Sequence, residues 1–516
     1  MRPRLRFSLV RCLGVVAALV FVSAGAVQAA PRHFDTAQAT QIWGTALDFT
    51  APRILEPASI SQMALWGLSG ISALDPNLTV QEEQGKIVLY GPTRVLFTTP
   101  EPKPDAAFQW GAACAQVAAR AFDASQELRR AGTNTVIREF FDELFNHFDP
   151  YSRYQPPTTL AGFGQGDEAS LGLELIQKDD EIVVGSVAPG GPADQAGITD
   201  GMQVIAIGKV KTDQVGLAAL QSLLPGMPGT KISITVRPQH SLPQRLILTR
   251  EIVPQQTVFT AIRRGIGELR VTEFSDDTGS QFASALGALM ADNPTPKGII
   301  IDLRGNRGGV LRQAVLSADT LLSHGTIIRT IGRDPAANKV WRAEGADLAP
   351  SLPAVILVDG RTASAAEVFS AALADNDRAV VIGSSTLGKG LVQDVAEMPG
   401  GGQLFVTWSR MIAPRGWPLQ GLGVIPQICT SLGPDSLARQ LAALKSGHDL
   451  MAKAEAEARM ARAPMPLAQT LTIREACPAA IGANDDFRAA ETVIDDPIAY
   501  KAALIRPLLQ SVSADG

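Results

Sequence analysis

Hydrophobic and polar positions change their period several times along the chain, which predicts several structural regions. Residues 34–100 combine a helical pattern at 62–68 with a short strand pattern at 86–90. The proline-rich stretch 100–104 then predicts a linker. We therefore expect residues 31–104 to form an N-terminal segment, although the pattern does not indicate its role.

Two helices are predicted next, over about 106–131 and 133–147. The second carries apolar side chains at helical spacing: Val136, Phe140, Phe141, Leu144 and Phe145. It should end before Pro150, because the residue that precedes a proline disfavours the helical conformation. Residues 105–155 are thus expected to form a helical region ahead of a change to strands.

From Ser170 onward, the pattern changes to short strands separated by turn signals. Strands are predicted at 171–176, 181–187, 203–207 and 231–236, and helical stretches at 193–197 and 215–224. This content indicates a compact module over residues 156–253. The order of its elements resembles a PDZ domain in its circularly permuted form.

The PDZ resemblance implies a role for the loop of Leu171, Gly172 and Leu173. In such a domain, backbone N–H groups of this loop receive the terminal carboxylate of a peptide. The peptide adds a strand to the sheet edge and places its last side chain in an apolar pocket. A glycine turn before an ordinary strand would have the same local sequence, so both interpretations stay open.

Beyond residue 256, apolar strands alternate with helices, which predicts an α/β core with fully buried strands over residues 254–430. The predicted strands are 267–271, 298–303, 354–358 and 379–382, and the predicted helices are 276–292, 309–322 and 363–374. The glycine-rich turn 304–309 lies between a strand and a helix. Its backbone N–H groups suit a phosphate or a developing oxyanion, and a packing turn is the alternative.

Residues 431–516 are rich in alanine and are expected to be mostly helical. Charges from Lys445 to Arg462 are typical of a solvated helix face. We find no chemical motif there. No cluster of Cys and His in the sequence has metal-ligand spacing, so we expect neither a metal nor a cofactor.

The first thirty residues predict a signal peptide rather than part of the fold. Four arginines precede an apolar run from Leu13 to Val27, and Val27 and Ala29 provide the small side chains of a cleavage site. An uncleaved membrane anchor is the alternative, although the run is short for a full span. We expect export to the periplasm, with membrane association if the segment is retained.

Composition and charge limit the choice of partners. The chain is 46% hydrophobic and 19% charged, as in globular proteins, and its net charge of −5 does not favour nucleic acid. Cys114, Cys429 and Cys477 remain after export, and an odd number excludes a fully paired set. Cys429 could pair with Cys477 in an oxidising compartment, but the sequence does not establish this.

The most informative stretch contains Ser364 between small residues and, further on, Lys389 between two glycines. A serine hydroxyl is a weak nucleophile until a base removes its proton, and a desolvated, neutral lysine can be that base. None of the histidines falls within this stretch: His33, His147, His240, His324 and His448. The stretch therefore favours a Ser-Lys hydrolase.

Two other interpretations of this stretch stay open. Small residues around a serine are also typical of close helix packing. Residues 383–389 fit the phosphate-binding pattern G-x-x-x-x-G-K, but Gly390 stands where Ser or Thr should hold magnesium. The glycines that follow Pro399 leave little room for the helix that should bind the phosphates.

Seven segments in order make the chain resemble the carboxyl-terminal processing peptidases, also called tail-specific proteases. They are residues 148–154, 196–202, 267–274, 301–309, 362–367, 386–393 and 420–426, with Gly172 in the PDZ loop. The resemblance covers roughly residues 105–430. It implies that Ser364 is the nucleophile, that Lys389 is its general base, and that Gln393, one helical turn later, orients the lysine.

The resemblance also implies an oxyanion hole and a fold. The oxyanion donors would be the N–H group of Ala365 and that of Gly309 or its neighbour Gly308. The fold would be α/β, with a crotonase-like (ClpP-type) α/β spiral protease core, an inserted PDZ domain and helical flanking segments. Departures from the family pattern remove no catalytic group: Met202 and Gln427 replace aspartates, and Thr362 and Ala366 replace serines.

The resulting expectation is an exported serine endopeptidase that recognises substrate C-termini through the PDZ domain and cleaves through the Ser-Lys dyad. Its partners would be proteins or peptides with free C-termini, and an adaptor or a second copy could bind the C-terminal helices. A catalytically silent PDZ scaffold is the alternative. A crotonase-type acyl-CoA enzyme is a third interpretation, but it accounts for neither the PDZ module nor the signal peptide.

Overall fold

The computed structural model describes residues 33–157, 169–178, 181–188, 190–238, 241–253 and 256–504. The predicted signal peptide therefore lies outside the described residues. Within these ranges, no helix is both long enough and apolar enough to cross a membrane.

Helices dominate the N-terminal part, and a small antiparallel sheet packs against them. The helices are α1 (Thr36–Arg53), α2 (Ile60–Leu74), α3 (Ala107–Ala124), α4 (Gln126–Ala131) and α5 (Thr133–Phe145), and the strands are β1 (Thr79–Glu83), β2 (Lys86–Tyr90) and β3 (Val95–Pro100). The prediction of one continuous helix over 106–131 is wrong, because the helix is interrupted at Ser125. This residue is extended, and its side chain caps α4 by accepting a hydrogen bond from the N–H of Leu128.

Residues 169–253 form a six-stranded antiparallel sheet with two short helices. The elements are β5 (Leu173–Lys178), β6 (Glu181–Val187), α6 (Pro192–Gln195), β7 (Gln203–Ile207), β8 (Val210–Lys211), α7 (Leu217–Gln221), β9 (Lys231–Arg237) and β10 (Gln244–Thr249). The main strand order is β10-β9-β7-β6-β5, and β8 pairs with β7. Strand β5 therefore lies at one edge of this sheet.

The α/β core contains a third sheet, most of which is parallel. Its elements are β11 (Val258–Arg263), β12 (Ile266–Val271), α8 (Thr278–Ala291), β13 (Ile299–Asp302), α9 (Leu311–Asp319), β16 (Ala354–Val358), α10 (Ala365–Asp375), β17 (Ala379–Gly383) and β20 (Ile428–Cys429). The order is β11-β12-β13-β16-β17-β20, and only β11 pairs in antiparallel register. Every residue of β13, β16 and β17 is buried, as the apolar runs predicted.

An antiparallel sheet lies beside this core. Its strands are β14 (Thr326–Gly332), β15 (Lys339–Arg342), β18 (Leu391–Glu397) and β19 (Gln403–Ile412), joined by β4 (Arg153–Gln155), and a 3₁₀ turn covers Pro335–Ala337. The order is β15-β14-β19-β18, and β4 also pairs with β19. This pairing places the segment after α5 on one edge of β19, whose other edge pairs with β18.

The C-terminal helices complete the core rather than forming a separate unit. They are α11 (Pro434–Lys445), α12 (Ala452–Met460), α13 (Leu467–Arg474), α14 (Asn484–Ile494) and α15 (Pro497–Ala503). Alternate residues of β13 and β16 face opposite ways: Ile300 and Val355 pack with α11, α14 and α15, whereas Ile301 and Ile356 pack with α8 to α10. The parallel strands are buried because helices cover both faces of the sheet.

The cysteines divide into one pair and one free thiol. A disulfide joins Cys429, at the end of β20, to Cys477, just after α13. Cys114 is free and buried in α3. The pairing that the sequence left open is therefore present in the structure.

Candidate active site

Ser364 stands at the start of the buried helix α10, directly after the turn that leaves β16. Its backbone is strained, with φ of 57° and ψ of −119°, which a residue with a side chain rarely adopts. The preceding turn is tied down because the hydroxyl of Thr362 donates to the carbonyl of Leu303 at 2.9 Å. The half-buried serine is thus held at the end of a rigid element.

The turn 304–309 lies against Ser364. Gly308 has φ of +95°, and a Cβ atom there would lie 2.7 Å from the Cβ of Ser364 and 2.7 Å from the carbonyl oxygen of Ala363. Only glycine fits this contact without displacing the backbone of the serine. The N–H of Ala363 also donates to the carbonyl of Asn306 at 3.0 Å.

The backbone N–H groups of this region differ in their availability. The N–H of Gly308 donates to Oδ1 of Asn306 at 2.8 Å and is therefore occupied. Within the described part of the chain, the N–H groups of Gly309 and Ala365 have no hydrogen-bond acceptor. Of the two glycines that the sequence offered as oxyanion donors, Gly309 is the one whose donor is free.

Glu367 links residues 359–363, which we call the nucleophile turn, to residues 384–390, which we call the lysine loop. No role for Glu367 was expected from the sequence. Its Oε2 atom accepts hydrogen bonds from the N–H groups of Ser364, at 2.7 Å, and of Lys389, at 2.9 Å. Its Oε1 atom accepts from the N–H of Gly388 and from the hydroxyl of Thr386. One fully buried carboxylate therefore positions the backbones of both residues.

A sequence signal for Glu367 existed. Ser364 and Glu367 have the spacing of a capping box, in which the side chain at the third helical position bonds the backbone of the N-cap residue. Burial raises the pKa of the Glu367 carboxyl, and hydrogen bonds from Thr386 and from backbone N–H groups offset part of this rise.

The glycines beside Lys389 allow another segment to approach closely. A Cβ atom at Gly390 would lie 2.2 Å from the backbone nitrogen of Gln420, and the N–H of Gly390 donates to Oε1 of Gln420 at 2.9 Å. Gly388 likewise lies against Gly421. The two glycines therefore allow close backbone packing around the lysine, and Lys389 is half-buried.

The Nζ atom of Lys389 lies 5.4 Å from the centre of the Tyr151 ring. This distance is within the range of a cation–π contact. Tyr151 is held by Asp149, whose Oδ1 atom accepts from the N–H of Tyr151 at 2.9 Å and from the hydroxyl of Thr407 at 2.8 Å. Residues 148–154 carry part of the family resemblance, but their contact with the lysine could not be read from the sequence.

The expectation that Gln393 lies one helical turn after Lys389 is wrong. Residues 391–397 form strand β18, because they pair with β19 across the whole segment. The Nε2 atom of Gln393 donates to the hydroxyl of Thr407 at 3.3 Å. Its described contact is thus with the network of Asp149 and not with the amine of Lys389.

A cavity of about 230 Å³ lies beside the lysine loop. One wall contains Leu391 and Gln420, which flank the loop, and another contains Phe148 and Pro150, which precede Tyr151. Ile54, at the end of α1, closes it from the N-terminal segment. The cavity is thus formed by three regions that are distant in sequence.

The loop predicted to bind a peptide C-terminus is compact. The N–H of Gly172 donates to the hydroxyl of Ser170 at 3.1 Å, and the buried Leu171 has its carbonyl bonded to the N–H of Ala193. A cavity of about 530 Å³ adjoins this loop and is lined by Gly172, Leu173 and Glu174, and by Phe259 and Thr272 of the core. The loop thus faces the junction between the small module and the core.

Other chemistries have less support in the described residues. The imidazole of His147 stacks on Trp66, and Nδ1 of His324 bonds the hydroxyl of Ser323, so both rings have partners other than Ser364. Within the ranges that the structure covers, no group of three or more potential ligands could hold a metal ion.

Fold and site together define a class: a mixed α/β protein that presents a strained serine at the start of a buried helix, as serine-type hydrolases do. Residues 265–430 match Peptidase family S41. The chain is 31% identical over 299 residues to the carboxy-terminal-processing protease of Bartonella bacilliformis, which covers 57% of this chain and 69% of that protein.

Two further proteins are similar to parts of the chain. The carboxy-terminal processing protease CtpA of Bacillus subtilis is 31% identical over 291 residues, which is 56% of this chain and 62%, less than two thirds, of that protein. The solved photosystem II D1 C-terminal processing protease is 26% identical, with a TM-score of 0.36, over 62% of this chain and 92% of that one. From the sequence matches, the chain belongs to the carboxyl-terminal processing proteases of Peptidase family S41, which are serine-type peptidases.

Proposed function

We propose that this protein is an exported serine endopeptidase that cleaves peptide bonds with Ser364 as nucleophile and Lys389 as general base. The observation that carries the proposal is the shared carboxylate of Glu367, which holds the backbones of both residues. A structural serine and a surface lysine would not require such a buried link.

The reaction begins when the hydroxyl of Ser364 attacks the carbonyl carbon of the scissile bond. Lys389, as the neutral amine, takes the hydroxyl proton and then gives it to the leaving amine of the peptide. This step leaves an acyl-enzyme on Ser364. The neutral lysine then takes a proton from a water molecule, whose oxygen attacks the ester. The ester bond breaks, the new C-terminus is released, and the lysine returns the proton to the Ser364 oxygen.

Negative charge develops on the carbonyl oxygen during both attacks. The N–H groups of Gly309 and Ala365, which have no acceptor among the described residues, are the donors that we assign to this oxygen. The rigidity of the turn supports the assignment, because the occupied N–H of Gly308 and the fixed Asn306 orient the backbone before substrate binds.

The lysine must lose its charge to act as a base. The amine lies over the ring of Tyr151, 5.4 Å from the ring centre, which is a cation–π geometry. We therefore assign the contact between Lys389 and Tyr151 to the resting enzyme. In the working enzyme, Gln393 would support the lysine indirectly, through Thr407, Asp149 and the Tyr151 backbone.

Recognition of substrate C-termini is assigned to the small module, as a PDZ domain inserted before a crotonase-like spiral core. Two features support it: β5 is an edge strand, and the adjoining loop contains Leu171, Gly172 and Leu173. A peptide could add to this edge, with an aliphatic last side chain. The side chain of Gln221 donates to the carbonyl of Leu175 on β5 at 3.2 Å, so an incoming peptide would displace it.

Export to the periplasm is supported by the N-terminal sequence and by the disulfide between Cys429 and Cys477, since disulfides persist in oxidising compartments. An adaptor or a second copy of the chain remains the partner proposed for the C-terminal helices, in addition to protein substrates.

The decisive experiment compares wild type with Ser364→Ala and Lys389→Ala on an unfolded protein substrate with an apolar C-terminus. We expect both variants to lose cleavage while keeping the melting temperature of the wild type. Lys445→Ala, on the exposed face of α11, serves as the control and should cleave normally. Cleavage by purified Ser364→Ala would disprove the assignment, and binding without cleavage by wild type would favour the scaffold.

A further inference from the structure

The segment after α13, residues 477–486, crosses the three loops that form the candidate active site. We call it the active-site strap. It lies outside the match to Peptidase family S41, which ends at residue 430. The amino-acid sequence of this region contains no recognised chemical motif.

The strap holds the start of the lysine loop. The hydroxyl of Ser385 donates to the carbonyl of Cys477 at 2.5 Å, and the hydroxyl of Ser384 donates to the carbonyl of Ala480 at 2.9 Å. The N–H of Ala480 donates back to the Ser384 oxygen at 3.0 Å. Ser384 and Ser385 are buried, so these contacts replace hydrogen bonds to water and fix the loop that leads to Lys389.

The same segment holds the turn that leads to the nucleophile. The carbonyl of Ala480 also accepts from the N–H of Gly360 at 2.8 Å, so one carbonyl joins the lysine loop to the nucleophile turn. The N–H of Gly482 donates to Oδ2 of the buried Asp359 at 3.3 Å. Asp359 in turn accepts from the N–H of Thr362, two residues before Ser364.

The strap also binds the turn 304–309, which we call the oxyanion turn. Nη1 of Arg304 donates to the carbonyl of Ala483 at 2.8 Å and to Oδ2 of Asp486 at 3.0 Å. Asp486 is buried, and its other oxygen accepts from the hydroxyl of Thr430 at 2.7 Å. The strap is therefore fastened at its far end by an ion pair with the residue that opens the turn 304–309.

The near end is fastened covalently. Cys477 is bonded to Cys429, which pairs with Gly383 at the end of β17, directly before Ser384. Both cysteines are completely buried, so the bond is shielded from reductants once it has formed. Without it, the strap would be joined to this edge of the sheet by hydrogen bonds alone.

We propose that the active-site strap is a positioning element of the catalytic site and that the site becomes competent only after the Cys429–Cys477 disulfide forms. The inference rests on the proposed function. In the step concerned, the two thiols exchange with the disulfide of an oxidoreductase. They lose two electrons and two protons, which reduce the partner to a dithiol. The protease would thus stay inactive before export and become active in an oxidising compartment.

The test compares the full-length Cys429→Ala/Cys477→Ala variant with Cys114→Ala, which removes the free buried thiol of the N-terminal helices. We expect kcat of the double variant to fall at least tenfold while KM stays within twofold of the Cys114→Ala value. Hydrogen exchange of residues 383–390 and 303–310 should become faster in the double variant only. A kcat within twofold of the control would overturn the proposal.

Two additions keep the result decisive. Ser384→Ala removes both hydrogen bonds between this side chain and Ala480 of the strap but retains the disulfide. It should lower kcat at least threefold, and it tests the strap even if the double variant does not fold. Unchanged kcat in folded Ser384→Ala would count against the strap. If wild type shows no Ser364-dependent cleavage, the proposed function fails. Hydrogen exchange then still decides the positioning role, because equal exchange of both loops with and without the disulfide would refute it.

Discussion

The carboxylate of Glu367 offers the sharpest test of how this site is held together. We predict that Glu367→Gln lowers kcat about a hundredfold or more, with little change in KM. The substitution keeps the shape of the side chain but replaces one accepting oxygen with a donating amide. Either orientation of the amide leaves two of the four donors around Glu367 without an acceptor.

The magnitude follows from these hydrogen bonds. Each buried donor that loses its acceptor costs about 1–3 kcal/mol, so two lost acceptors cost about 2–6 kcal/mol. Relief of the buried charge offsets part of this loss, since burial already raises the pKa of Glu367. The remainder displaces the backbones of Ser364 and Lys389, and a displacement of about 1 Å in a catalytic group can reduce the rate about 10²-fold.

Steady-state kinetics on a peptide substrate, with thermal unfolding of the same samples, provide the measurement. Glu397→Gln is the matched control, because the side chain of this exposed residue of β18 bonds only the side chain of Gln403 among the described residues. The control should keep wild-type kcat and melting temperature. If Glu367→Gln keeps kcat within threefold of the control, the carboxylate does not position the two residues and the reasoning is refuted.

Three further predictions concern the oxyanion turn, pH and substrate tails. Gly308→Ala should abolish activity and lower the melting temperature, because its Cβ would clash with Ser364, and an active Gly308→Ala would contradict the contact. Gly287→Ala, at an exposed position of α8, should be neutral or slightly stabilising. Burial raises the pKa of Glu455 to about 8, opposed by Arg459. The folded state therefore binds this proton more tightly, and stability should fall as pH rises from about 4.5 to 8. The free energy of unfolding, measured with urea, should depend less on pH in Glu455→Gln than in wild type. The same pH dependence in both proteins would show that Glu455 is not its cause. Amidating the C-terminus of a good substrate should slow cleavage, and equal rates for amidated and free-acid peptides would exclude recognition of the terminal carboxylate.

Much of the core could be predicted from local patterns. The alternation of apolar strands and helices beyond residue 256 predicted β13, β16 and β17 within about one residue of their observed bounds, because buried parallel strands require continuous apolar runs. Ser364 and Lys389 were recognisable for a similar reason. Their neighbours are small or glycine because other backbone segments approach within contact distance, and that requirement is visible in the local sequence.

What the sequence by itself determined is therefore the period of each element, the position of its turns and the residues with chemistry at those turns. The tertiary structure decided which distant groups meet: Glu367 with Lys389, Tyr151 with the lysine amine, and the strap with three loops. It also decided that Gln393 lies in a strand, because the pairing of β18 with β19 overrides any local helical preference. Local periodicity shows which positions of a segment are buried. It does not show which residues cover them, because those residues come from distant segments of the chain.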